Sequence, residues 1–190
     1  MIEKAVKGQF GYLAAKRKLV LIRTIIFFAV PLSLLAAGII STGSRRNLLT
    51  IVAVLGCLPA CKSLVSLILY VRARGCGDEA HRILKASGGR LEGMYDMYFT
   101  SYRQNFAISH MVSAGKNLCG FTEDPKCGAK ACEEHLTAML RQGGCKEITL
   151  KIFTDLDKYC ERLRQLNRLC EESGAGPDDG VIAVLYDISL

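Results

Sequence analysis

Two long apolar runs separated by seven polar residues constrain this chain more than any other feature. Leu19 to Ile40 is broken by Arg23, Thr24, Pro31 and Ser33, and Leu48 to Val71 by Thr50, Lys62, Ser63 and Ser66. Each run exceeds the roughly 20 residues that cross a bilayer's hydrocarbon core at about 1.5 Å per residue. The linker, Ser41 to Asn47, is short enough that the two helices must run antiparallel. The expected organisation is a basic cytoplasmic segment over 1–18, a transmembrane hairpin over 19–71 (helices 19–40 and 48–71), and a cytoplasmic domain over 75–190.

The charge divides at the same boundary. Residues 1–74 carry eleven Lys and Arg against the single acid Glu3, whereas the remainder is slightly acidic, so the net +7 belongs to the hairpin and its flanks. No nucleic-acid partner is expected, because the folded part has no basic excess to neutralise phosphates. Lys4, Lys7, Lys16, Arg17 and Lys18 precede the first span and Arg72 and Arg74 follow the second, against Arg45 and Arg46 in the linker. That asymmetry predicts a multi-pass protein of the cell membrane with both termini in the cytoplasm. A cleaved signal peptide fits less well, since the first run is long, contains Arg23 and is followed at once by a second span.

Polar groups inside the spans are candidate functional residues. Arg23 lies about 6 Å inside its boundary and can snorkel, while Lys62, counted back from Val71, lies about 13 Å deep. Pro31 and Pro59 each remove a helical hydrogen bond. Arg23, Pro59 and Lys62, with Cys61 and Ser66, thus form a prospective polar seam for self-association through the transmembrane helices. The plainer reading is a kinked anchor whose lysine bends to the interface.

Nine cysteines at 57, 61, 76, 119, 127, 132, 145, 160 and 170 form no CxxC pair, and a cytoplasmic location disfavours disulfides. Cys119, Cys127, Cys132 and His135 could supply zinc ligands, but a five-residue step along a helix starting near Cys127 would turn Cys127 away from Cys132. Buried free thiols are the expectation and zinc is not.

Residues 75–190 read as an α-β-β-β-α-β-α-β mixed-sheet domain. A short helix begins at Asp78. Strands follow over Met94–Tyr102, with Tyr95, Met97 and Phe99 sharing one face, over Phe106, Ile108, His110 and Val112, and over Leu118–Thr122. Asp124-Pro125 opens a helix that Gly143-Gly144 closes. Ile148–Phe153 is a strand, Thr154 to Asp157 starts a helix, and Val181–Tyr186, continuously apolar, reads as a central strand closing a right-handed βαβ unit.

Ligands of open α/β sheets bind beyond the carboxyl ends of parallel strands. Glu123 follows the third strand, Asp155 and Asp157 the fourth, and Asp187 the last. Converging there, the four would hold Mg²⁺. Asp124 and Asp155 are also explained as helix caps, and Asp178 and Asp179 as loop residues. The order α-β-β-β-α-β over residues 78–153 resembles the core of the PD-(D/E)xK nucleases. The resemblance implies an acid on the second strand and acid-x-Lys on the third. His110 and Asn117-Leu118-Cys119-Gly120-Phe121 stand there instead, so an inactive relative is implied. No Gly-x-Ser-x-Gly, P-loop or Gly-x-Gly-x-x-Gly string occurs, and a His110–Cys119 dyad competes with a structural histidine. The expected role is interaction or scaffolding at the cytoplasmic membrane face, with the bilayer and a protein as partners. The alternatives are a metal-dependent phosphotransfer or nuclease-like enzyme at the acidic strand ends, and a small oligomeric membrane protein.

Overall fold

A computed structural model describes residues 6–43, 48–145, 147–174 and 176–190. Lys4, Arg45 and Arg46, used above for orientation, lie outside these residues. The chain forms two compact units, one of residues 13–73 and one of 1–12 with 74–190.

The first unit is a pair of long apolar helices, α1 (Tyr12–Thr42) and α2 (Leu48–Arg72). Their mutual contacts step in sevens. The Arg17 guanidinium donates to the carbonyl oxygens of Tyr70 and Ala73 at 3.1 and 2.9 Å, and the Thr24 and Ser63 hydroxyls lie 2.8 Å apart. A Cβ on Gly56 would sit 3.2 Å from Pro31. Positions 17, 24 and 31 therefore meet 70, 63 and 56, an antiparallel heptad match of the kind that close-packed helices adopt. Small residues on α2 permit the approach: Ala53, Ala60 and Ser63 are buried there. Arg17 also satisfies carbonyls at the end of α2 that have no intrahelical donor.

The second unit contains α3 (Asp78–Ser87), β1 (Gly93–Thr100), β2 (Asn105–Ala114), β3 (Asn117–Phe121), α4 (Ala129–Gln142), β4 (Thr149–Phe153), α5 (Leu156–Ser173) and α6 (Asp179–Ile188). The sheet order is β1-β2-β3-β4, antiparallel except for the parallel pair β3 and β4, which α4 connects. One face packs Met97, Phe99, Phe106, Ile108 and Met111 against α4 and α6, and the other packs Val112, Cys119 and Phe121 against α3 and α5.

Three expectations are corrected. The last element is the helix α6, not a strand, so the sheet has four strands and its βαβ unit is β3-α4-β4. The cause is a cap: the Asp178 carboxylate, expected to be a loop residue, accepts from the Gly180 and Val181 amides at 2.9 and 3.2 Å. Val181 and Leu185 then face the core, while Ala183 and Asp187 face out, a helical period that the apolar run obscures. Helix α4 starts at Ala129, not Asp124, because the Asp124 side chain takes the Lys126 amide at 3.0 Å and turns the chain first.

The third correction concerns alternation. Asp96, at φ 57°, is skipped between the pairs Tyr95↔His110 and Met97↔Ile108. Met94, Met97 and Phe99 share one layer, as do Phe106, Ile108 and Met111. Tyr95 instead meets His110 and His81 on the other side, ring centroids 4.5 and 4.7 Å away. A left-handed residue inside a strand reverses which side its neighbours take, and Asp is among the few side chains that tolerate it.

Gly8 and Leu190 cover the free edge of β1. The Tyr95 amide donates to the Gly8 carbonyl at 2.7 Å, and the Leu190 amide to the Tyr98 carbonyl at 2.8 Å. At the opposite edge, the Ile152 amide of β4 donates to the Glu133 carboxylate at 2.8 Å. Such capping removes edge groups that would otherwise recruit another strand.

Candidate functional site

The strand-end acids each have a local task. The Glu123 carboxylate accepts the Gly77 amide at 2.8 Å, holding the segment that leaves α2. Asp155 caps α5, accepting from the Asp157 and Lys158 amides at 3.0 and 3.2 Å. Those bonds, the Lys158 amide first, hold its carboxyl below the usual carboxylate range. Asp157 lies in the first turn of α5, where a negative charge is favourable. Asp187 lies exposed near the end of α6 rather than at a strand end. Among the described residues, no three His, Cys, Asp or Glu side chains are grouped to hold a metal ion.

Arg23, Pro59 and Lys62 are exposed on the helix surfaces, whereas Thr24 and Ser63, the next residues along from Arg23 and Lys62, are buried and bonded across the pair. At mid-helix the polar contact between α1 and α2 is thus made by hydroxyls, with Arg17 bonding the carbonyls at the end of α2. Thr24 also donates back to the Val20 carbonyl at 2.7 Å, which satisfies it within its own helix.

The richest titratable cluster lies under α3 and includes residues that sequence periodicity does not bring together. The Cys76 amide donates to Asp96 Oδ1 at 2.8 Å. Asp96 is 4% exposed, so a buried carboxylate receives the chain between α2 and α3. A Cβ at Gly75 would approach Asp96 Oδ1 to 2.7 Å, and one at Gly77 would approach Glu123 Oε1 to 2.9 Å. These glycines are the local signal: Gly75-Cys76-Gly77 leaves room for both carboxylates. Beyond Tyr95, Phe10 stacks on His81 at 3.9 Å, and His110 Nδ1 lies 2.8 Å from the Tyr159 hydroxyl.

Electrostatics disfavours nucleophilic chemistry in this cluster. Burial, then the charges of Glu123 and Asp96, push the Cys76 thiol up to about 12, so it stays protonated. Burial, then His81, lowers His110 to about 4, so its ring is neutral at physiological pH. Tyr159, fully buried, is raised well above the ordinary phenol value. His110 is bonded to Tyr159, and that hydroxyl approaches the Cys119 carbonyl at 3.5 Å. The His110–Cys119 dyad is therefore replaced by a neutral His–Tyr pair within the core.

The cysteine geometry also differs from expectation. Because α4 starts at Ala129, Cys127 precedes the helix, and Cys127 and Cys132 are both buried in the core layer under α4 and α6. Elsewhere, a groove of about 290 Å³ is lined by Arg90, Ser113, Asn167 and Glu171, and another of about 370 Å³ by Arg103, Gln104, Glu134 and His135. Neither contains the strand-end acids. No protein-family model, curated protein or solved structure matches this chain.

Proposed function

We propose that this chain is a two-pass membrane protein, both termini cytoplasmic, whose C-terminal domain acts as an interaction or scaffolding module at the membrane face. The observation that carries this reading is the outer surface of the helix pair. Leu21, Ile22, Ile25, Ile26, Val30 and Leu32 on α1, and Ile51, Val54, Leu55, Leu58 and Val65 on α2, are all exposed. Water penalises so continuous an apolar surface, whereas hydrocarbon does not. Two helices are long and apolar enough to cross a membrane.

The heptad match supports a shallower Lys62 than its own helix suggests. Ser63 meets Thr24, so Lys62 is level with Ile25, six residues and about 9 Å past Leu19. A lysine stem reaches the interface from that depth. Tyr70 and Arg17 share the level of this interface, as aromatic and basic anchors should. The same pairing supports retention of α1, since a cleaved leader would leave Ser63 and Gly56 without their partners.

Interaction is preferred to catalysis because Glu123 and Asp155 accept backbone amides and Asp187 is on a helix, so the set has no shared ligand position. Alkaline carbonate extraction with reporters fused at either end tests the placement. The expected result is retention in the membrane pellet, with fluorescent-protein fusions bright and alkaline phosphatase fusions inactive at both termini. Release by carbonate, or phosphatase activity at either end, would refute it. If a Lys62→Leu chain loses self-association while its domain stays folded, the oligomeric reading replaces the scaffold.

A further inference from the structure

Arg23 and Lys62 each stand one residue before a contact that holds the helix pair together. Thr24 and Ser63 meet across the pair, their hydroxyls 2.8 Å apart, and both are buried. A step of one residue turns an α-helix by about 100°. Because α1 and α2 run antiparallel, stepping back by one from each contact carries both positions to the same flank of the pair. Arg23 and Lys62 are exposed on that flank. One residue past each contact, on the opposite flank, stand Ile25 and Leu64, exposed and apolar. At this level the pair is cationic on one side and aliphatic on the other.

The two cations also share a depth. With Thr24 opposite Ser63, Arg23 is level with Leu64 and Lys62 with Ile25, an offset of two residues or about 3 Å. Counted from Leu19, the two positions lie about 6 and 9 Å inside the hydrocarbon. Helix axes in such pairs are about 8–10 Å apart, so two long side chains rising toward the interface can close on one anion. Ser66, one turn nearer that interface, bonds the Lys62 carbonyl at 3.2 Å and sets a hydroxyl beside the lysine stem.

Two charges at that depth need a counter-ion. Between Glu3 and Asp78 the chain contains no Asp or Glu, so neither this hairpin nor that of a second copy has a carboxylate to offer. Headgroup phosphates lie where the two side chains rise, and the cytoplasmic leaflet is the one rich in anionic lipid. We infer that Arg23 and Lys62 form a binding site for an anionic phospholipid of the cytoplasmic leaflet, clamping its phosphate between them. One heptad deeper on the same flank, Val30 and Leu55 precede the Pro31–Gly56 contact and are exposed, giving the acyl chains an apolar track. The inference rests on the two-pass reading proposed above, and phosphate is the chemistry that a lipid headgroup shares with a free anion.

Native mass spectrometry of the full chain in neutral detergent tests this, since each bound lipid is resolved by its mass. The probes are dioleoyl phosphatidylglycerol and dioleoyl phosphatidylcholine. The expected result is a first phosphatidylglycerol bound at least tenfold more tightly than phosphatidylcholine. Arg23→Met and Lys62→Met should each weaken it about fivefold, the effect of one basic residue near an anionic surface. Removing the same charge elsewhere, by Lys18→Met with Arg72→Met, should leave that first binding event unchanged. Equal affinity for the two lipids overturns the inference while the membrane placement stands, and makes a carboxylate on a partner helix the counter-ion. An equal loss in the Lys18 and Arg72 pair overturns it in favour of diffuse attraction. Displacement of the lipid by equimolar glycerol phosphate overturns it in favour of a free anion. Binding of neither lipid refutes the membrane placement and the inference together. The wild-type comparison of the two lipids decides even if a variant fails to fold.

Discussion

His110 concentrates the consequences of placement into one side chain. It is 2% exposed, its Nδ1 bonds the Tyr159 hydroxyl, and burial lowers it to about 4 from an ordinary 6.5. The unfolded chain therefore binds the proton that the folded state refuses. Stability is fully present above pH 6.5 and falls as pH drops from there toward 4, by about 3 kcal/mol across the window. Chemical denaturation at pH 7 and pH 4.5 measures this loss, and His110→Phe should flatten the slope. Gly93 is the companion constraint, because a Cβ there would overlap His110 Nε2. Gly93→Ala is expected to cost about 1–3 kcal/mol through overpacking, read as a lower urea midpoint with unchanged m.

At the scale of elements, caps and seams decide more than apolar runs do. Asp178→Ala should destabilise the domain by about 1 kcal/mol and lower helical ellipticity, since two amides of α6 lose their acceptor. If Val181–Tyr186 were a strand, the same change in a loop would have almost no effect. Within the hairpin, Gly56→Leu should separate the helices, because even a single Cβ meets Pro31 at 3.2 Å. Lys62→Leu, on the exposed surface, should leave their pairing unchanged. Disulfide trapping of Thr24→Cys with Ser63→Cys, done with and without Gly56→Leu, distinguishes the two outcomes.

For the whole molecule, the structure joins the N-terminal arm to the C-terminal domain. The Lys7 ammonium donates to the Tyr186 and Ser189 carbonyls at 2.6 and 2.8 Å, at the end of α6. Gly8, at φ 85°, turns beneath Tyr186, where any Cβ would collide with its hydroxyl. Cys76 and Gly77 are held by Asp96 and Glu123. Thus the residues entering α1 and those leaving α2 both fold with the domain. Lys7→Met is expected to lower domain stability by about 1–3 kcal/mol, since two part-buried carbonyls lose a charged donor. A denaturation curve identical to wild type would show that the arm contributes nothing.

Much of this was legible because it depends on neighbours in the chain. The two apolar helices, the Asp155 cap and Gly174 stop of α5, and the meander from Gly93 to Phe121 follow from local patterns of apolarity, turn residues and caps. Val181–Tyr186 was misread because a short apolar run fits a buried strand and a buried helix equally; Asp178 broke the tie. The left-handed conformation of Asp96 was invisible for a different reason. Its left-handed φ is sustained by a tertiary setting in which its carboxylate takes an amide twenty residues earlier. Likewise Glu123 and Asp155 do follow β3 and β4, though Asp187 follows no strand, but the amide that Glu123 takes lies 46 residues earlier in the chain. Sequence by itself determined which segments are apolar helices and where most elements start and stop, since those depend on local energies. Only the tertiary structure decided which side chains meet, because contacts such as Thr24 with Ser63 or His110 with Tyr159 depend on how the chain turns between them.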